Sequence, residues 1–227
     1  MISPRTFLRS TLCIAAFCSV SNGQNLGKYR DFAFGMNVES VTKEIQMKPS
    51  DARTIYTRPA LIQTLAWNPT SYSAAATSAS IRAIRFDFYN DELFKMVVTY
   101  NSTGTEGLTA DDVIEAISAL YGTPSTPDDS VSISNSPMYQ DQEKVLARWE
   151  DEQYSYNLFR ISYGIGFGLV AFSKAVDQRA NNSSLEANRL DKLEAPAREL
   201  ARQKKQEEDA RAAKEAARSI NKPKFRP

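Results

Sequence analysis

Acidic side chains cluster at two places where the sequence predicts β-hairpins. The two sets are Asp87, Asp91 and Glu92, and Glu150, Asp151 and Glu152. Paired carboxylates can serve as acid and base in a hydrolase, or hold a hard divalent cation through oxygen ligands. If the two hairpins are equivalent parts of the fold, the sets face one another. The alternative is that these carboxylates are solvated turn residues, which is the common situation for acidic side chains.

The residue types that most other site chemistries need are missing. The chain has no histidine, and its two cysteines, Cys13 and Cys18, both lie within the first 23 residues. The remainder therefore has no cysteine nucleophile, no Ser-His-Asp triad and no zinc site built on Cys or His. It also has no glycine-rich dinucleotide motif, no P-loop and no calcium-loop spacing. We expect no cofactor, and binding rather than catalysis.

Residues 1–23 have the three-part pattern of a secretory signal peptide. Two arginines precede an apolar run at residues 12–18, and small residues follow, with Ser21 and Gly23 as the alternative cleavage positions. The run is much shorter than the ~20 residues of a membrane-spanning helix, and an uncleaved anchor is the alternative. We expect an exported protein, in the periplasm or outside the cell.

Removal of this segment leaves a nearly neutral chain. It takes two of the 28 Lys and Arg residues, which leaves 26 against 27 Asp and Glu, a net charge of −1. This balance gives no electrostatic reason to expect a nucleic-acid partner. No later stretch is apolar enough to predict a transmembrane span.

Residues 28–173 alternate between helix-like and strand-like patterns. Apolar stripes predict helices that begin after Asn37 and after Thr109, the second with Val113, Ile117 and Leu120 buried. Period-two alternation predicts strands at residues 61–67, 84–89, 94–100, 144–150, 154–163 and 167–172, with loops at residues 70–80 and 123–142. The predicted fold is α+β, with helices packed on an antiparallel sheet.

The two halves of this region, residues 34–100 and 107–172, have similar patterns. Three positions of the first helix have the same spacing as three of the second: Asn37, Val41 and Ile45, and Thr109, Val113 and Ile117. Arg85-Phe86-Asp87 and Arg148-Trp149-Glu150 each precede a tyrosine at the same distance. One interpretation is a tandem repeat of a helix followed by strands. The other is chance similarity between amphipathic segments.

The C-terminal region, residues 174–219, is charged, rich in alanine and free of aromatic residues, and a basic tail follows at 220–227. Ser183 and Glu186 form a capping box that predicts a helix from about residue 184, and Pro196 predicts a kink or a new segment. Leu190, Leu193 and Leu200, here called the leucine stripe, have heptad spacing typical of a short coiled coil. We expect the stripe to bind a protein partner in the envelope. A solvated helix is the alternative.

Two short motifs resemble known envelope domains. Residues 32–41 read F-x-F-G-M-N-x-x-x-V and residues 88–96 read F-Y-N-D-E-L-F-K-M. They are similar to the SmpA/OmlA outer-membrane-assembly lipoproteins and to the β-lactamase-inhibitor-like fold. The resemblance implies helices on an antiparallel sheet and binding to proteins. The lipidated cysteine of those lipoproteins is missing here, so their membrane anchor is not implied.

The leading interpretation is therefore a non-catalytic exported protein that binds another protein. The acidic hydrolase or cation site is one alternative. A carrier of small ligands is another, since the predicted sheet is rich in aromatic residues, among them Trp67, Phe86, Trp149 and Phe159. Core packing also explains those aromatic residues.

Overall fold

A computed structural model describes residues 25–69, 80–134, 141–162, 166–224 and 226. The expected signal peptide, most of the expected loop at residues 70–80, residues 135–140 of the expected loop at 123–142, residue 163 at the end of the expected strand 154–163, and Phe225 and Pro227 of the basic tail lie outside these residues. The strands are β1 (Lys28–Tyr29), β2 (Phe32–Ala33), β3 (Arg53–Tyr56), β4 (Ile62–Trp67), β5 (Ile81–Tyr89), β6 (Glu92–Tyr100), β7 (Ser130–Ser132), β8 (Gln142–Glu150), β9 (Tyr154–Arg160) and β10 (Phe167–Ser173). The helices are α1 (Val38–Glu44), α2 (Ala110–Tyr121) and α3 (Lys174–Asn221).

One antiparallel sheet of eight strands organises the described residues, in the order β3-β4-β5-β6-β10-β9-β8-β7. Strands β1 and β2 form a separate hairpin. The expectation of an α+β fold with a long C-terminal helix is confirmed. The short outermost strands β3 and β7 were not expected. They contain Arg53, Ser130 and Ser132, and lack a clear apolar alternation.

Each half of the sheet has the same element order, a helix followed by four strands that pair in sequence. The last strands of the halves, β6 and β10, pair antiparallel in the centre, with Val98 opposite Leu169. In this order, β5 and β6 of the first half correspond to β9 and β10 of the second half. Arg85-Phe86-Asp87 lies on β5, whereas Arg148-Trp149-Glu150 lies on β8, which corresponds to β4. The two motifs with equal spacing therefore lie on strands that do not correspond.

The two N-terminal helix caps form as their local sequence predicts. Asn37 accepts a hydrogen bond from Ser40 N at 2.9 Å. Thr109 and Asp112 form a reciprocal capping box, and Gly122, with φ of 79°, ends α2. Asn90 and Asp91 both have positive φ in the β5–β6 turn, as expected for a two-residue hairpin loop.

The core lies between one face of the sheet and α1, α2 and the β1–β2 hairpin. Phe86, Trp149 and Tyr156 are among its largest fully buried side chains. The expected stripe of α2 is correct for Val113 and Ile117, each 7% exposed, but wrong for Leu120, which is 71% exposed. Helix α2 reaches past the edge of the core at this position.

Helix α3 packs on the opposite face of the sheet, through its first twenty residues. Lys95 Nζ of β6 lies 3.5 Å from Asp177 Oδ1, and Tyr56 donates to Asn188 Oδ1 at 3.1 Å. The helix begins at Lys174 and continues through Pro196, so the expected start near residue 184 is wrong. Ser183 instead lies within the helix, 3.5 Å from the Tyr89 hydroxyl. All residues from 195 to 224 are exposed.

Candidate functional site

The structure does not bring the two acidic sets together. The β5–β6 and β8–β9 turns lie at the same end of the sheet, three strand spacings apart, which is about 14 Å. The start of α3 lies between them, because it directly follows β10. Within the described residues, no group of three or more His, Cys, Asp or Glu side chains could hold a metal ion.

Four of the six acidic residues have structural partners. Asp87, 1% exposed, receives hydrogen bonds from Arg85 and from Thr64 Oγ1. Asp91 Oδ1 accepts from Val38 N at 3.0 Å and so holds the start of α1.

Two carboxylates of the second acidic set also have structural partners. Glu150 pairs with Lys174 at 2.7 Å. Asp151 Oδ1 accepts from the backbone N–H groups of Gln153 and Tyr154 within its own turn. Glu92 and Glu152 are exposed. Each partnered carboxylate therefore stabilises a local feature of the fold.

The aromatic residues expected for a ligand carrier belong mainly to the core. Phe86, Trp149 and Phe159 are at most 2% exposed, and Trp67 packs against the same core cluster as Phe86. None of the four lines the cavity beside α2, which is described next. Core packing therefore accounts for them.

A cavity of about 610 Å³ lies between α2, the β1–β2 hairpin and the segment that follows β6. Leu169 of β10 and Tyr100 of β6 also line it, so it adjoins the centre of the sheet where the two halves meet. Ligand sites commonly have volumes of ~300–1,000 Å³ and lie at such junctions.

The cavity wall is mostly apolar. Leu108 and Leu120, which are 44% and 71% exposed, lie at its rim, and they are large apolar side chains left uncovered by the core. Buried Val113, Ile117 and Leu169 lie deeper. Apolar groups at a concave surface favour ligands that remove them from water.

Three tyrosines place hydroxyl groups at the cavity wall. The hydroxyls of Tyr29 and Tyr100 are 3.4 Å apart, and Tyr121 donates to the Lys28 carbonyl at 3.4 Å. Burial raises the pKa of Tyr29 and, more strongly, the pKa of Tyr100, and it raises the pKa of Tyr121 to about 12. These phenols stay neutral near pH 7, so they can both donate and accept hydrogen bonds.

Charged groups border one side of the cavity. Arg30, with φ of 54° in the β1–β2 turn, donates to Ser80 Oγ at 3.0 Å. Lys28 is exposed. Asp112 also lines the cavity, and its hydrogen bonds to the Thr109 backbone and hydroxyl lower the pKa of its carboxyl.

This site is not evident from the sequence, because its residues are distant in the chain. They come from residues 25–30, 80, 100–121 and 169. One local signal was present. The apolar stripe of α2 continues to Leu120, beyond the part that the sheet can cover.

The leucine stripe lies on α3, away from the cavity. Leu193 and Leu200 are 63% and 55% exposed, whereas Leu190 is half-buried. No helix among the described residues is long and apolar enough to cross a membrane.

The model of one protein family, the TP0088 domain, matches residues 27–165, which is more than half of the 227-residue chain. The chain therefore belongs to the TP0088 domain family. The matched range begins directly before β1 and covers both halves of the sheet except β10. The comparisons with curated proteins and with solved structures found no match. The resemblance to the envelope domains stays a prediction.

Proposed function

We propose that this protein is a non-catalytic, exported carrier whose apolar ligand occupies the cavity beside α2. The observation that carries the proposal is the concave apolar wall, in which Leu108 and Leu120 stay exposed to solvent while Ile117 lies buried behind them. The tyrosine hydroxyls provide a few polar contacts that orient a ligand, as is usual in small-molecule sites.

The test is a substitution that fills the cavity with a large side chain and leaves the core residues unchanged. Ala116 lines the cavity, and Ala119 is an exposed residue of the same helix outside it. We expect wild type and Ala119→Trp to bind decanol in a calorimetric titration, and Ala116→Trp to lose binding at unchanged thermal stability. If neither decanol nor decanoate binds the wild-type protein, the proposal fails.

Export forms part of this proposal and is supported by the pattern of residues 1–23. The test is mass spectrometry of the protein recovered from cell fractions. We expect a mature form in the periplasmic or extracellular fraction that begins after Ser21 or Gly23. An intact N-terminus in the cytoplasm would contradict this.

A second candidate function is protein binding through α3. The supporting observation is the exposure of Leu193 and Leu200 on a helix that is exposed from residue 195 onward. Crosslinking in envelope extracts tests it, with Leu193→Asn and Leu200→Asn compared with Leu185→Asn. Leu185 is 57% exposed on the same helix and lies outside the leucine stripe. If the wild-type protein forms no crosslink that the substitutions in the leucine stripe abolish, this function is ruled out.

A further inference from the structure

The charges around the cavity are unbalanced. Lys28 and Arg30 line it, and neither forms an ion pair with another described residue. Asp112 is the one carboxylate among the described lining residues. Its Oδ2 accepts hydrogen bonds at 2.7 Å from both Thr109 N and Thr109 Oγ1, so it is committed to the start of α2. The described lining side chains, two cations and one carboxylate, therefore carry a net charge of +1.

Arg30 is placed to receive an anionic group. Its guanidinium lies 5.6 Å from the centre of the Tyr29 ring, and one Nη2 bond to Ser80 holds it at the cavity wall. A guanidinium has five N–H donors, so most remain for a ligand. A carboxylate can engage two of them in parallel.

The apolar wall favours an alkyl chain over a peptide as the remaining part of the ligand. An extended peptide would bring backbone N–H and C=O groups against Leu108, Ile117 and Leu120, which offer no hydrogen bonds. Buried amides without partners cost free energy. An alkyl chain has no such groups, and it gains from every methylene that leaves water.

We infer that the ligand is an anionic single-chain amphiphile of the fatty-acid class, with its chain along Ile117 and Leu120 and its carboxylate on Arg30. Lys28 adds long-range attraction from the rim. The inference rests on the proposed function, because it requires that the cavity accept a ligand.

Three ligands with one chain and different head groups test the head-group preference: decanoate, decanol and decyltrimethylammonium. We expect decanoate to bind about tenfold more tightly than decanol, because hydrogen bonds to a charged group are the stronger kind. The cationic ligand should bind most weakly. Across octanoate, decanoate and laurate, affinity should rise roughly fourfold per methylene until the chain fills the cavity.

Substitution of the arginine tests its role. Arg30→Gln should bring decanoate affinity down to about that of decanol and change decanol affinity much less, while Arg30→Lys should retain part of the preference. The control is Arg53→Gln, which removes an exposed positive charge from β3 at the far edge of the sheet. Thermal melting of each variant shows that it is folded.

The possible outcomes separate the two ideas. If decanol binds as tightly as decanoate, or if Arg30→Gln binds decanoate like wild type, the anionic inference is wrong and the apolar carrier stands. If neither ligand binds, the proposed function fails as well.

Discussion

At the scale of single residues, a glycine in the central strand has a specific packing role. Gly168 of β10 pairs with Phe159 of β9, and a Cβ at Gly168 would lie 2.2 Å from the Phe159 ring. Phe159 is 2% exposed and lies in a second, smaller apolar cluster with Val145 and Val170. The ring therefore has little room to move.

We expect Gly168→Ala to lower the free energy of unfolding by about 1–3 kcal/mol through overpacking. Chemical denaturation measures the change. The double variant with Phe159→Leu should recover part of the loss, because the shorter side chain vacates the space. A Gly168→Ala protein as stable as wild type would contradict the packing argument.

The cavity tyrosines predict a loss of stability at alkaline pH. Burial raises the pKa of Tyr29, Tyr100 and Tyr121 in the folded protein, the last to about 12. Above the ordinary tyrosine pKa of about 10, the unfolded chain releases these protons while the folded chain retains them. Stability is therefore fully present below about pH 10 and falls as the pH rises toward 12.

Urea unfolding as a function of pH, together with tyrosinate absorbance, measures this effect. We expect a group of tyrosines that ionises only as the protein unfolds. Tyr121→Phe should reduce the alkaline loss, because it removes one raised pKa. If all tyrosines ionise near pH 10 in a protein with native circular dichroism, the phenols are not buried as described.

At the scale of elements, α3 has two parts with different roles. Its first part covers Lys95, which is 5% exposed, and pairs with it through Asp177. Its second part, from residue 195, is exposed on all sides. A helix with solvent on every face adds little to the stability of the fold.

Two truncated proteins should therefore differ in stability. Removal of residues 195–227 should change the free energy of unfolding by no more than about 0.5 kcal/mol. Removal of residues 174–227 should prevent cooperative unfolding, because it uncovers the outer face of the central strands, where Val97, Val170 and Phe172 belong to an apolar cluster. Calorimetric melting compares the two proteins, and equal destabilisation would contradict the division.

A point variant separates loss of the ion pair from loss of the helix. Asp177→Ala leaves Lys95 buried without this partner, and we expect the free energy of unfolding to fall by about 2 kcal/mol. The fall is smaller than for loss of a partner in a fully buried ion pair, because Asp87 lies opposite Lys95 in the strand register. Asp191→Ala removes an acidic residue whose side chain is 50% exposed, and should cost almost nothing.

The elements also show what local sequence can predict. The helix starts at Asn37 and Thr109 form as expected, and the Asn90-Asp91 turn likewise depends on a few neighbouring residues. The start of α3, in contrast, cannot be predicted from neighbouring residues. Ser183 and Glu186 have the sequence of a cap, but packing on the sheet continues the helix back to Lys174. The cavity was unpredictable for the same reason, because Arg30, Tyr100 and Leu120 meet only after the sheet has assembled.

At the scale of the whole molecule, the two halves join through β6 and β10 at the centre of one sheet. The pairing runs from Gly168 opposite Thr99 to Phe172 opposite Lys95. If the halves are separated, each of these strands becomes a long unpaired edge with apolar side chains. We therefore expect the halves to be stable only together.

Separate production of residues 25–105 and 106–224 tests this expectation. Each fragment alone should lack a cooperative thermal transition, and an equimolar mixture should regain one and form a heterodimer in analytical ultracentrifugation. Cooperative unfolding of either fragment as a monomer would mean that the halves are independent domains.

The order of the sheet places its longest strands inside and its shortest outside. The outermost strands have only four residues in β3 and three in β7. Among the described strands of this sheet, these two lie at the edges, and each offers few backbone groups that could pair with another chain. The short edge strands thus disfavour growth of the sheet by edge-to-edge addition, the first step toward fibrillar aggregation, although the core of the sheet consists of strongly β-forming sequence.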